Sequence, residues 1–238
     1  MLIRITTSAW FEFLGQLSGL MRDPVCYGIG VPRGDGEPIL LIPGFTAGDW
    51  SLTALAAWLR RIGYRPYMSG IDLNVGCPRR TMEVVGWRLE QITKETGRPV
   101  TIVGHSLGGV LGRALSATYP DQVKRVIALG SPLRIHWDAV RDEVRPAMRA
   151  MQAFWQNFSD AEEACGTNDC GCGFAESLDG VLPDFTSIFT RADEVVDWRE
   201  CVDEDGRNVE VSGLHCSLIV NRHVYRHLGS ILADNPGH

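Results

Sequence analysis

Residues 99–118 read PVTIVGHSLGGVLGRALSAT. The β-branched run Val100-Thr101-Ile102-Val103 stops at Gly104. From Leu107 onward, Val110, Leu111, Ala114, Leu115 and Thr118 recur at helical spacing. A strand with no polar face is buried on both sides. Joined to a helix by so short a turn, it belongs inside a parallel sheet layered between helices. The rest of the chain repeats the pattern. PILLIPGF (38–45), YRPYMSGIDL (64–73), VKRVIALGS (123–131), DFTSIFT (184–190) and RNVEVSG (207–213) read as further strands. A helix carries Leu52, Leu55, Ala56 and Leu59, with Asp49 or Ser51 as its N-cap. Another opens at Pro78 and stops at Gly97 and Pro99, and a last one runs over about 220–233. The expected class is α/β, with a doubly wound, mostly parallel sheet.

The alternation breaks over 133–183, so the chain reads as one domain over 1–238 with a cap or lid inserted at 133–183. At 238 residues it is long enough to bury a core without staples. A net charge of −6 and the lack of any Lys/Arg block argue against a nucleic-acid surface. No apolar stretch has the length of a membrane span. Glu12 and Gln16 interrupt the N-terminal segment, which therefore does not read as a secretory signal, and a cytoplasmic location is expected. Trp10, Phe13, Leu14, Leu17, Leu20 and Met21 instead form an amphipathic helix, packed on the body or set on a membrane or lipid surface.

The serine between glycines raises a chemical question. Chemistry in an open parallel sheet gathers at the carboxyl ends of the strands. Ser106 stands at such an end, where Gly104 and Gly108 keep side chains out of a tight strand-to-helix turn. That turn lifts the hydroxyl clear and places it at a helix N-terminus rich in free N–H groups. A serine needs a base to become a nucleophile. His215 lies between the last strand and the last helix, whereas His136 opens the insertion and His223 and His227 sit on the final helix. His105 adjoins the serine and points away from its Oγ. Asp193 follows a strand end in TSIFTRADEVVDW and is the leading carboxylate, with Asp197 and Glu194 as alternatives. The N–H groups of Leu107 and of Phe45, which follows Pro43-Gly44, are the candidate oxyanion donors.

LLIPGF, GHSLGG, TRADEVVDW and GLH together resemble the α/β-hydrolase superfamily, in particular its small bacterial lipase and esterase branch, from about residue 37 to the end. The resemblance implies an ester hydrolase with Ser106 as nucleophile, His215 as general base and acid, and Asp193 as its orienter. It also implies a small-molecule or lipid ester substrate and neither cofactor nor metal. The superfamily's first two strands have no counterpart here, or are replaced by the N-terminal helix. Two other readings keep the scaffold: an acyltransferase with an alcohol or thiol acceptor, and a non-catalytic binding protein.

Within the insertion, Met148, Met151, Phe154, Trp155 and Phe158 offer an apolar surface that either receives an acyl chain or packs on the body. Cys165, Cys170 and Cys172 are spaced loosely like metal ligands but have no matching CxxC or HxxxH partner nearby in sequence, and nothing brings His223 and His227, at i, i+4, to that loop. Cys201 and Cys216 follow the last two strands and are the better candidates for a disulfide.

Overall fold

The computed structural model describes residues 2–134, 136–156, 172–179 and 184–234. Strands β1 (Pro38–Ile42), β2 (Arg65–Met68), β3 (Val100–His105), β4 (Val123–Leu129), β5 (Asp184–Phe189) and β6 (Arg207–Glu210) form one sheet in the order β2-β1-β3-β4-β5-β6. Every pairing is parallel. The helices among the described residues are α1 (Leu2–Arg22), α2 (Thr53–Arg61), α3 (Pro78–Thr96), α4 (Leu107–Thr118), α5 (Arg145–Gln156) and α6 (Arg222–Ala233).

The apolar strand runs explain the layering. Ile39 and Leu41 of β1 pack with residues of α1, α2 and α6, whereas Leu40 and Ile42 pack with α3 and α4. Successive side chains point to opposite faces, so a strand covered on both sides is apolar at nearly every position, as β1 is throughout. Helix α3 ends as its punctuation requires: Pro78 opens it, and Gly97, at φ 65°, returns its N–H to the Thr93 carbonyl.

Two local expectations are corrected. Asp49 does not cap α2; its carboxylate accepts from the Ser69 hydroxyl at 2.6 Å and the Gly70 N–H at 2.7 Å, tying the loop after β1 to the loop after β2. Helix α1 buries only part of its apolar stripe. Phe13, Leu17 and Leu20 join the core, while Trp10, Leu14 and Met21 stay exposed. Among the described residues no helix is long and apolar enough to cross a membrane.

The order of strands decides where chemistry can gather. Strands β3, β4 and β5 lie side by side, with His105 in register with Leu129 and Leu129 with Ile188. The loops leaving their carboxyl ends therefore share one edge. Helix α1 packs against the 3₁₀ turn His215–Val220 and so supports that edge from one face.

Candidate active site

Between β3 and α4 the chain reverses within one residue. Ser106 has φ 51° and ψ −123°, one of two non-glycine residues with positive φ among those described. Such a conformation costs roughly 1–3 kcal/mol and persists only where neighbours over-determine it. They do so here. A Cβ on Gly104 would lie 2.3 Å from the Gly108 carbonyl carbon, and one on Gly108 would lie 2.1 Å from the Ile42 carbonyl oxygen. The Ser106 N–H donates to the Leu129 carbonyl at 2.9 Å, fixing the turn to β4.

Two strands further, Asp193 and His215 form a buried pair, with Asp193 Oδ2 2.7 Å from His215 Nδ1. The other oxygen, Oδ1, accepts the N–H groups of Val195 at 2.9 Å and Val196 at 2.7 Å. An ionised carboxylate only accepts, so the Nδ1 facing it carries a proton and Nε2 is left as the basic nitrogen. Burial by itself pushes the Asp193 carboxyl up. The His215 charge, the hydrogen bond to it and the two backbone donors outweigh this and hold it below the usual carboxylate range. Burial likewise pulls His215 down, but the Asp193 charge and hydrogen bond win and raise it above an ordinary imidazole.

His215 is also held by its backbone. Its N–H donates to Glu194 Oε2 at 2.9 Å. Its carbonyl faces His105 Nε2 at 3.1 Å, and since a carbonyl only accepts, His105 is the donor. Burial, then the neighbouring His215 charge, pushes His105 down to about 3, so it stays neutral. The Asp193 carbonyl accepts from Arg141 Nε at 2.7 Å.

Ser106 and the pair share the edge. A Cβ on Gly130, one residue past the Leu129 that anchors Ser106, would lie 3.3 Å from His215 Nδ1 and 3.4 Å from Asp193 Oδ2. No hydrogen bond joins Ser106 Oγ to His215 among the described residues.

The N–H groups of Phe45 and Leu107 donate to no protein acceptor among the described residues. The loop that carries Phe45 is braced by the buried Asn74. Its Nδ2 donates to the Pro43 carbonyl at 2.9 Å, its carbonyl accepts the Thr46 N–H at 2.8 Å and its N–H reaches Ala47 O at 2.8 Å.

Ser106, Phe45 and Leu107 open into a cleft of about 740 Å³, counting the space open to solvent. Apart from Ser106, His136 and Gln152 its lining is apolar, with Val75, Val110, Val140, Val195 and Met148 among the walls. Of the four residues expected to make the pocket, Met148 alone lines it. Met151 and Phe154 are 43% and 53% exposed, and Trp155 is half-buried away from the lining. The reason is helical phase: Met148 and Gln152, four residues apart in α5, share the stripe that faces the cleft. Phe158 lies outside the described residues.

The cysteine pairing is also corrected. Cys201 and Cys216 are both thiols. Cys201 is buried against Phe189 and Val196 behind the Asp193 loop, while Cys216 is exposed, so the two side chains leave their strand ends in different directions. Cys165 and Cys170 lie outside the described residues. Among the described residues no three His, Cys, Asp or Glu side chains group as metal ligands.

Sequence reasoning brought Ser106, Asp193, His215, Phe45 and Leu107 to one place. It passed over Asn74 and Arg141, and it weighed His105 and Glu194, which lie within the motifs, without seeing that they hold the His215 backbone. Each of the four acts on a partner far along the chain.

The family model described as alpha/beta hydrolase fold matches residues 78–164. The (E)-2-((N-methylformamido)methylene)succinate hydrolase of Acinetobacter baylyi is 28% identical over 131 residues, and the match spans 50% of this chain and 47% of that one. The chain thus matches about half the length of that curated relative. An extracellular α/β-hydrolase from a Paenibacillus species superposes with TM-score 0.60 at 15% identity, covering 82% of this chain and 97% of that one. The mature lipase of Bacillus licheniformis gives 0.59 at 16%, with 86% and 94% covered. A monoglyceride lipase from Saccharomyces cerevisiae gives 0.60 at 13%, with 85% and 89% covered. At these identities the likeness is one of fold.

Proposed function

Because the chain has the α/β-hydrolase fold, we propose that it is a serine hydrolase cleaving carboxylic esters through an acyl-enzyme on Ser106. The observation that carries this reading is the buried Asp193–His215 pair at 2.7 Å, beside a positive-φ serine that opens into an apolar cleft. His215 Nε2 takes the Ser106 proton as Oγ attacks the ester carbonyl carbon. The electron pair of the carbonyl moves onto its oxygen, which the free N–H groups of Phe45 and Leu107 receive. Collapse breaks the bond to the alcohol oxygen, and the alcohol leaves with the proton from His215. Water then repeats the sequence and releases the acid. Asp193 keeps Nδ1 protonated and stabilises the imidazolium.

The cleft walls suit the acyl chain of a small-molecule or lipid ester. Of the cap proposed over 133–183, the described residues 136–156 support the role: the antiparallel Val140–Val196 bridge seats them on the acid loop, and their helix supplies Met148 to the cleft. The test is hydrolysis of p-nitrophenyl esters of increasing acyl length, with Ser106→Ala as control and a fluorophosphonate as label. Serine-dependent turnover that peaks at one length is expected. A folded protein that labels at Ser106 yet hydrolyses no ester would point to acyl transfer. Failure to label would leave a binding role.

A further inference from the structure

His136 is the one imidazole in the cleft lining among the described residues, set among apolar walls and facing the same space as Ser106. Its Nε2 lies 3.1 Å from Glu200 Oε2. A carboxylate only accepts, so this nitrogen carries a proton. In the neutral ring Nδ1 then holds a lone pair, and it has no partner among the described residues. The ring is held in place as well as in tautomer. The Glu200 carbonyl accepts the Leu133 N–H at 2.8 Å, and the Ala139 carbonyl accepts the Asp197 N–H at 2.8 Å, so the two segments are tied on either side of the pair.

An acceptor fixed by a carboxylate in an apolar cleft is costly to leave dry once a substrate expels water. The group that satisfies it is a hydrogen-bond donor, which an ionised carboxylate is not, and the apolar walls around it favour a donor without charge. On the ester-hydrolase reading above, we infer that His136 is a specificity-determining residue: its Nδ1 accepts a hydrogen bond from a hydroxyl of the substrate, selecting hydroxylated esters over plain ones. The hydroxyl belongs to a polyol alcohol or to a hydroxylated acyl chain. Either source offers the same donor.

The experiment compares kcat/KM for glyceryl monodecanoate, methyl hydroxydecanoate, methyl decanoate and monomethyl decanedioate in the wild type, His136→Leu and His136→Gln. Leucine removes the acceptor, and glutamine keeps one in its amide oxygen. The expected result is a preference for one hydroxylated ester over methyl decanoate. That preference falls about 3- to 10-fold in His136→Leu, the order of one neutral hydrogen bond, and is restored at least in part by His136→Gln. Which ester loses its advantage identifies the half of the substrate that carries the hydroxyl. A selectivity ratio equal in all three proteins overturns the inference and leaves the ester reading intact. A wild-type preference for monomethyl decanedioate that depends on His136 overturns it in favour of a cationic, carboxylate-reading imidazole. Absence of turnover on every ester sinks the ester reading and this inference together. Should His136→Leu fail to fold, Glu200→Ala, which frees the tautomer, is expected to lower the same ratio.

Discussion

His105 donates its Nε2–H to the backbone carbonyl of His215 across 3.1 Å, with the two rings 4.9 Å apart. The residue before the candidate nucleophile thus holds the loop of the candidate base, although 110 positions separate them. His105→Phe keeps the ring volume and removes the donor. Its expected effect is a fall of about 3- to 10-fold in kcat at little changed KM, with His105→Gln closer to the wild type. Kinetics normalised to fluorophosphonate-reactive sites check this. A purely structural role would lower the number of reactive sites and leave turnover per site unchanged.

The same contact has a consequence for stability. His105 is held near 3 in the folded protein, against about 6.5 for an ordinary imidazole. The unfolded chain therefore binds a proton at pH values where the folded chain does not. Stability is full above about 6.5 and is lost as pH falls toward about 3. His105→Gln, which cannot titrate, is expected to flatten part of the decline of Tm with acid. A variant as acid-sensitive as the wild type would count against the buried neutral imidazole.

Ser106 separates activity from strain. Ser106→Ala is expected to lower ester turnover roughly 10⁴–10⁶-fold in a protein that still folds. Ser106→Gly is expected to be equally inactive yet more stable, because glycine adopts φ 51° without steric cost. A gain of about 1 kcal/mol raises Tm by about 2–4 °C at this chain length. Thermal denaturation of both variants is the check, and a Tm of Ser106→Gly at or below that of Ser106→Ala would show that the turn stores no strain.

The layering was readable because β1, β3 and β4 carry apolar residues at positions that face both ways, and a strand of that kind has one kind of home. The edge that gathers Ser106, Asp193 and His215 was readable for a related reason: each follows a strand, and parallel strands end on one side. The burial of α5 was not readable. Its pattern marks Met148, Met151, Phe154 and Trp155 alike as apolar, and only the phase in which the helix is set beside the cleft turns Met148 inward and leaves Phe154 exposed. Asn74 was invisible for a different reason. Its hydrogen bond to the Pro43 carbonyl spans 31 positions and belongs to no periodicity or motif.

Asp193 and Asp197 are told apart by what they touch. Asp193→Asn removes the charge that raises His215, so the acid limb of the pH–rate profile is expected to move to lower pH, with turnover down about 10⁴-fold through the wrong tautomer. Asp197 instead caps a short 3₁₀ turn, its Oδ1 accepting the Arg199 N–H at 3.0 Å. Asp197→Asn is expected to leave the profile in place and to cost at most about 1 kcal/mol of stability. Measuring kcat/KM against pH for both variants decides it, and a shifted limb in Asp197→Asn would reverse the assignment.

Asn74 gives the most direct test of the oxyanion loop, because it touches only backbone there. It clasps Pro43, Thr46 and Ala47 on either side of Phe45, and Thr46 is held at φ 60° within that clasp. Asn74→Ala keeps the two main-chain bonds and deletes the side-chain one, so the loop survives with Pro43 released. An N–H that stabilises only the transition state loses value when its loop loosens, whereas ground-state binding in the apolar cleft does not depend on it. The expected result is a drop in kcat of about 10-fold with KM within about twofold of the wild type. Inhibition by a boronic acid, which places a tetrahedral oxyanion on Ser106, is expected to weaken by a similar factor. If KM rises while boronate affinity holds, Asn74 shapes the cleft, and the Phe45 N–H is not the oxyanion donor.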